Sequence, residues 1–213
     1  MAKLRFYYSS MNAGKSLNLL QANHNYLERG GKTCLFTTKM DNRAEVGVIY
    51  SRVGLQADAE VFDSNTNIFD VIKDQYPDVD CLMVDEAQFL SREQVLQLEH
   101  VVDDLNIPVL CYGLRTDFMG EVFDGSKYLL SRADELSEIK SVCFCKSLAK
   151  FVARFDCDGN ALTVGEKIVI GGEEQYVSLC RKHYNQAVSG ELKLSDLAKI
   201  KREDEKTDFL NLK

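Results

Sequence analysis

The sequence predicts an α/β fold, a parallel β-sheet flanked by helices, with a small second domain following it. Three observations carry this. The runs CLMV (81–84) and IPVLCY (107–112) are apolar throughout. Strands of a sheet covered by helices on both faces look like this, whereas half-exposed strands alternate. Strand-like and helix-like segments take turns as far as residues 136–142, where the character of the chain changes. The remainder is too short to bury much core alone.

In chain order, residues 3–9 (around LRFYY) read as a strand that runs straight into a glycine-bearing loop at 10–16. Residues 16–29 place Leu17, Leu20, Tyr26 and Leu27 at helical spacing, and Gly30 with Gly31 ends that helix. A strand at 33–38 leads to a polar segment holding Asp41 and Arg43, then a short strand at 60–62. A helix over 67–75 sets Ile68, Val71 and Ile72 on one face; strand 80–84, helix 91–104 and strand 107–112 repeat the pattern. Each crossover between parallel strands is expected to be right-handed. Beyond Cys143 and Cys145 come a hairpin strand at 151–155 with a turn at Asp158-Gly159, a strand at 167–170, Gly171-Gly172, and the segment 180–183. The expected division is 1–138 for the α/β domain and 139–190 for the small domain, with 191–213 a charged, weakly ordered tail carrying a short helix near 193–201.

The 213 residues hold 26 Lys and Arg against 33 Asp and Glu, a net charge of −7, which disfavours a nucleic-acid partner because the whole molecule repels a phosphate backbone. A small anion remains compatible, since backbone N–H groups bind phosphate on acidic proteins too. The opening MAKLRFYYSS is too short and polar for a signal peptide, and no run approaches the length of a membrane span, so a cytoplasmic protein is expected. Cysteines in that reducing compartment serve purposes other than disulfides. Cys34, Cys81 and Cys111 lie in apolar strand-like runs and read as small core residues.

The loop Ser9-Ser10-Met11-Asn12-Ala13-Gly14-Lys15-Ser16 keeps the spacing of G-x-x-x-x-G-K-[ST], with Ser9 at the first glycine position. Between a strand and a helix, such a loop turns unpaired N–H groups toward a β-phosphate. Gly14 lets the backbone come close, Lys15 reaches the β and γ oxygens, and Ser16 offers a hydroxyl to Mg²⁺. The fold expectation thereby narrows to a P-loop NTPase-like sheet that binds ATP with Mg²⁺. Asp85 follows the apolar strand 81–84 and is suited to hold the ion through its water shell, at the carboxyl end of the sheet where ligands bind. Glu86 is then available to take a proton from an attacking group. If that group is water the protein is an ATPase; if it is an alcohol the protein is a kinase.

Cys143-x-Cys145 with Cys180-x-x-His183 supplies three thiolates and one imidazole, a closed tetrahedral set for structural Zn²⁺. Cys157, beside the Asp158-Gly159 turn, stands outside that set. His24 and His100 lie within helices and read as structural or surface residues.

Four ordered blocks resemble one known family: YSSMNAGKS (8–16), VDEAQF (84–89), YGLRTDF (112–118), and IGG (170–172) followed by Tyr176 and Cys180-Arg181-Lys182-His183. They look like the thymidine kinases of bacteria and animal cytosol, with the bacterial form nearer, over residues 3–190. The resemblance implies transfer of the γ-phosphoryl of ATP to the 5′-hydroxyl of thymidine or deoxyuridine. By position, it implies Glu86 as the base, with Lys15, Arg43 and Asp41 near the reacting phosphate. The nucleotide-contacting set is Ser9, Ser10, Met11, Asn12, Ala13, Gly14, Lys15 and Ser16 with Asp85, Glu86, Ala87 and Gln88. Met11, Phe89, Leu114, Phe118, Phe123 and Tyr176 would line or cover the nucleoside, and backbone around Ile170, Gly171 and Gly172 would read its base. The family is typically a homotetramer inhibited by thymidine triphosphate. One departure is Ser9, where many relatives carry glycine; a non-glycine residue there is expected to keep a negative φ, because the left-handed region would strain it. A P-loop ATPase or nucleotide switch with a zinc module, and a zinc-bearing interaction module without chemistry, are the alternative readings from the residues.

Overall fold

The computed structural model describes residues 1–40, 46–166 and 175–197. The chain falls into two compact units. The larger comprises Met1–Ser9, Gly14–Arg115 and Val122–Ile139; the smaller comprises Ser10–Ala13, Thr116–Glu121 and the described residues from Lys140 on.

In the larger unit the strands are β1 (Leu4–Ser9), β2 (Thr33–Thr38), β3 (Val48–Tyr50), β4 (Gln56–Asp58), β5 (Glu60–Phe62), β6 (Cys81–Val84), β7 (Val109–Leu114) and β8 (Glu135–Glu138); the helices are α1 (Lys15–Glu28), α2 (Ile68–Gln75), α3 (Arg92–Leu105) and α4 (Asp124–Arg132). Six strands form one sheet in the order β5-β2-β6-β7-β1-β8. All its pairings are parallel. In register, Ser9 of β1 stands opposite Leu114 of β7, and Val84 of β6 opposite Cys111. The carboxyl ends of β1 and β7 therefore lie level, while β6 ends beside Cys111.

The apolar runs are explained by burial on both faces. Along β6, Leu82 and Val84 join Phe6, Phe36, Val109 and Cys111 in a core with Ile68 and Ile72 of α2, Leu98 of α3 and Leu129 of α4. Cys81 and Met83 join Leu110 and Tyr112 on the opposite face, against Leu19 and Leu20 of α1. Cys34, Cys81 and Cys111 are buried, and Cys157 is exposed. Side-chain caps start two of the helices: Asn67 accepts from the Asp70 N–H at α2, and Ser91 and Gln94 form a reciprocal capping box at α3.

Helix α1 forms where expected with a different inner face, and three further elements, α4, β8 and the β3–β4 hairpin, were not anticipated. Leu27 of α1 is exposed, and Leu19 takes the core position. Helix α4, with the sequence DGSKYLLSR, buries Gly125, Ser126 and Leu129, so a single fully buried apolar residue marks its inner face. Strand β8, with the sequence ELSE, has no buried residue; it is an edge strand held by its pairing with β1 and by Glu135, which accepts from Lys3 Nζ at 2.5 Å and from Arg5 Nε at 2.6 Å. The small antiparallel hairpin β3–β4 is likewise without a clear pattern.

In the smaller unit, β9 (Ser141–Val142) and β10 (Leu148–Ala149) make a short hairpin, β11 (Phe151–Phe155) pairs antiparallel with β12 (Gln175–Leu179), and α5 (Arg181–Val188) follows. The ladder partner of 151–155 is thus β12. Among the described residues the turn at Asp158-Gly159 closes a single bridge, Phe155 to Ala161. The core of this unit collects Cys143, Phe155, Leu179, Cys180, Tyr184 and Leu197. Residues 194–197 are helical; the expected strand at 167–170, the Gly171-Gly172 pair and the tail beyond residue 197 lie outside the described residues.

Candidate active site and metal centre

Strand β1 ends at Ser9, which is extended; the left-handed conformations of the loop fall on Asn12 (φ 62) and Gly14 (φ 86). Glycine at 14 meets the backbone requirement, since a Cβ there would touch nothing within 4 Å. Helix α1 begins after Gly14 with no side-chain cap and no acid in its first turn, so its N–H groups and dipole favour an anionic ligand. Lys15 is buried and its Nζ donates to Ser9 Oγ at 3.1 Å.

Ser16 Oγ donates to Asp85 Oδ2 at 2.7 Å, which brings the helix start and the end of β6 together. The backbone N–H of Asp85 donates to the Phe36 carbonyl at 2.8 Å. Among the described residues its other carboxylate oxygen, Oδ1, is buried without a hydrogen-bond partner. Burial, with the neighbouring Glu86 charge behind it, pushes the Asp85 carboxyl well above the usual carboxylate range. An orphaned oxygen beside a serine hydroxyl fits a hard divalent cation, whose charge would hold Asp85 ionised.

The chain turns sharply after Asp85. Glu86 adopts left-handed backbone angles, φ 52 and ψ 37, and opens a 3₁₀ turn over Ala87–Phe89. A non-glycine residue held there carries strain of about 1–3 kcal/mol, which persists only where surrounding contacts over-determine it. Those contacts are present. Gln88, itself buried, donates from Nε2 to Glu86 Oε2 at 2.5 Å and accepts at Oε1 from the Leu114 N–H at 2.9 Å. Ser126 Oγ donates to the Leu114 carbonyl at 2.5 Å. Gly125 of α4 presses on the same turn: a Cβ there would stand 2.5 Å from the Ala87 carbonyl oxygen. Phe89 meets Phe123 edge-on with ring centroids 5.9 Å apart.

In the smaller unit, the Met11 carbonyl accepts from Ser178 Oγ at 2.6 Å, and Ser10 Oγ donates to the Ala149 carbonyl at 3.5 Å. Phe118 is buried beneath the Arg154 guanidinium, 5.1 Å from its ring centroid, and the same guanidinium lies 5.8 Å from the Tyr176 ring. Arg154 Nη1 also donates to the Glu166 carbonyl at 2.9 Å. Tyr184 of α5 donates its hydroxyl to the Phe118 carbonyl at 3.0 Å and stacks on Phe151 at 4.8 Å. Three residues singled out from the sequence, Met11, Phe118 and Tyr176, thus share this unit.

The cysteine and histidine set converges. The ligand atoms of Cys143, Cys145, Cys180 and His183 all lie within 4.8 Å of one another. Cys145 and Cys180 sulfurs are 3.8 Å apart, and His183 Nδ1 is 3.3 Å from Cys143 Sγ and 3.6 Å from Cys180 Sγ. Tetrahedral Zn²⁺ with its usual bond lengths requires S···S of about 3.8 Å and S···N of about 3.5 Å. The four donors therefore fit that ion. The β9–β10 turn supplies two of them, and the first turn of α5 and its N-cap supply the others.

Asp41, Arg43, Ile170, Gly171 and Gly172 lie outside the described residues. Sequence reasoning missed Ser126, Arg154, Ser178 and Tyr184. Only Arg154 had a local signal, a lone charge inside the strand FVARF.

The thymidine kinase family profile matches residues 2–184. Among curated relatives, a protein named thymidine kinase from Yersinia pseudotuberculosis is 53% identical over 190 residues, 88% of this chain and 97% of that protein. One of the same name from Aliivibrio fischeri is 54% identical, with 88% and 99% covered. Another from Salmonella typhimurium is 53% identical, with 88% and 93% covered.

Proposed function

This chain belongs to the thymidine kinase family, and on that premise we propose how its residues divide the reaction among them. The reaction is transfer of the γ-phosphoryl group of ATP to the 5′-hydroxyl of thymidine, a nucleoside-salvage step that feeds DNA synthesis. The observation that carries the assignment of roles is the buried Asp85-Glu86 pair, with Ser16 bonded to Asp85 at the uncapped start of α1.

The N–H groups at the start of α1 and the loop Ser9–Ser16 hold the phosphates, and Lys15 offsets charge on the β and γ oxygens. Mg²⁺ held at Ser16 and Asp85 would supply further neutralisation of the phosphate charge. Glu86 accepts the 5′-hydroxyl proton as that oxygen bonds to the γ-phosphorus; the bond from phosphorus to the bridging oxygen breaks, and its electron pair leaves with ADP. Ala87 and Gln88 complete the nucleotide-side turn. Asp41 and Arg43 are assigned to the reacting phosphate, and Ile170, Gly171 and Gly172 to base recognition, by resemblance. Nucleoside contacts are assigned to Phe89, Leu114 and Phe123 in the larger unit and to Met11, Phe118 and Tyr176 in the smaller. Deoxyuridine is a second acceptor.

Cys143, Cys145, Cys180 and His183 hold a structural Zn²⁺ that braces the unit bearing Phe118 and Tyr176; the donor distances support this. Residues 1–138, 139–190 and 191–213 serve as ATP-binding domain, zinc-bearing lid and tail. Homotetramer formation, inhibition by thymidine triphosphate and a cytoplasmic location complete the reading. Among the described residues no helix is long and apolar enough to cross a membrane, and the net charge of −7 argues against a nucleic-acid partner.

Incubation of the purified protein with Mg-ATP, with and without thymidine, tests the reading. Phosphate should appear on the nucleoside, and Glu86→Gln should lower turnover at least about 100-fold while ATP binding is retained. Near-normal turnover of that variant would remove Glu86 from the role of base.

A further inference from the structure

We propose that Gln88 is a positioning residue for phosphoryl transfer: its side-chain amide locks the Glu86 carboxylate in its reactive orientation and ties it to the end of β7. The inference rests on the assignment of Glu86 as base.

The two ends of the amide face chemically opposite partners. Nε2 donates to Glu86 Oε2 at 2.5 Å, and Oε1 accepts from the Leu114 N–H at 2.9 Å. Flipping the amide would set an N–H against the Leu114 N–H and an oxygen against the carboxylate, so one orientation is strongly selected. Gln88 is only 2% exposed, where water cannot replace either bond. The bond to Glu86 is charge-assisted, which makes it the stronger of the two kinds.

The support for this amide is itself built in. Leu114 is held at both its backbone groups, by Gln88 at N–H and by Ser126 Oγ at the carbonyl. Gly113 leaves the space that the amide occupies, since a Cβ there would stand 3.0 Å from both Gln88 N and Gln88 Oε1. Glu86 sits in the left-handed region, a conformation a glutamate does not hold unaided. A base on such a turn needs a brace to keep its carboxylate aimed at the reacting hydroxyl, because a misplacement of about 1 Å costs about 100-fold in rate. Gln88 is the side chain that spans from the turn to the rigid sheet.

The test is kinetic, with Gln88→Met, which keeps the length and bulk of the side chain and removes both amide bonds. The expected result is a fall in kcat of about 100-fold with KM for thymidine within about twofold of the parent. Gly113→Ala, which presses on the Gln88 amide and backbone and on the Phe6 ring without removing the amide, should also lower kcat and serves if Gln88→Met does not fold. The decisive measurement is the double variant with Glu86→Gln. A residue that acts through Glu86 costs nothing more once Glu86 is disabled, so kcat of the double variant should equal that of Glu86→Gln. A further loss in the double variant, or normal kcat in Gln88→Met and in Gly113→Ala, would overturn the positioning role. Near-normal turnover of Glu86→Gln alone would instead overturn the assignment of the base.

Discussion

Replacing Gly125 by alanine probes the packing of α4 against the turn that carries Glu86. The added Cβ would meet three backbone carbonyl oxygens, of Ala87 at 2.5 Å, Leu90 at 2.8 Å and Gln88 at 2.9 Å. Ordinary contact begins near 3.4 Å, so helix and turn must part by about 0.9 Å along the shortest line. Backbone oxygens cannot rotate away as side chains do. Alanine gains up to about 1 kcal/mol in helix propensity, and overpacking costs about 1–3 kcal/mol. With three rigid contacts the upper end applies, which leaves a net loss of about 2 kcal/mol and a drop in Tm of about 4–8 °C for a chain of this size. Because two of the displaced carbonyls belong to the residues that follow Glu86, kcat should fall by about 100-fold with it. Thermal unfolding and thymidine-dependent turnover measure the two effects. Gly190→Ala is the control: its φ is 81 and its Cβ would touch nothing within 4 Å, so it should lose stability through backbone strain and retain kcat. An unchanged or raised Tm for Gly125→Ala would refute the packing argument.

Three further outcomes are expected. Atomic absorption should find about one Zn²⁺ per chain, and Cys145→Ala should lose it with a fall in Tm; unchanged metal content would contradict the ligand set. Burial pushes the Cys34 thiol from 9.0 up to about 12, so as pH rises past 9 the unfolded state loses a proton that the folded state keeps. Its contribution to stability is fully present below pH 9 and falls away toward pH 12, so the decline in urea-unfolding free energy between pH 9 and 10.5 should be shallower in Cys34→Ala; an equal slope would refute this. Arg154→Met removes the guanidinium beside Phe118 and Tyr176, and KM for thymidine should rise about tenfold while KM for ATP holds. Equal changes in both would point to a general loss of structure instead.

The parallel sheet was legible because β6 and β7 are buried on both faces and their sequences show it without ambiguity. The loop at 9–16, the acids at 85 and 86 and the Cys/His spacing were legible because phosphate, Mg²⁺ and Zn²⁺ each demand a donor type at a short, characteristic spacing. Strand β8 and helix α4 were not. An edge strand pairs through backbone groups that every residue carries, and α4 buries Gly125 and Ser126 beside a single fully buried apolar residue, Leu129, which makes no stripe.

What the sequence by itself determined was the chemistry on offer: which side chains bind phosphate, which take a proton and which hold a soft metal. Only the tertiary structure decided how those side chains are held. That Ser16 reaches Asp85, that Gln88 joins Glu86 to Leu114, and that Arg154 lies against Phe118 and Tyr176 are contacts between residues far apart in the chain or turned by a strained backbone. Local spacing places Ser16 and Asp85 on one ion but carries no record of the other two meetings, because they follow from strand register and from how closely a glycine lets two backbones approach.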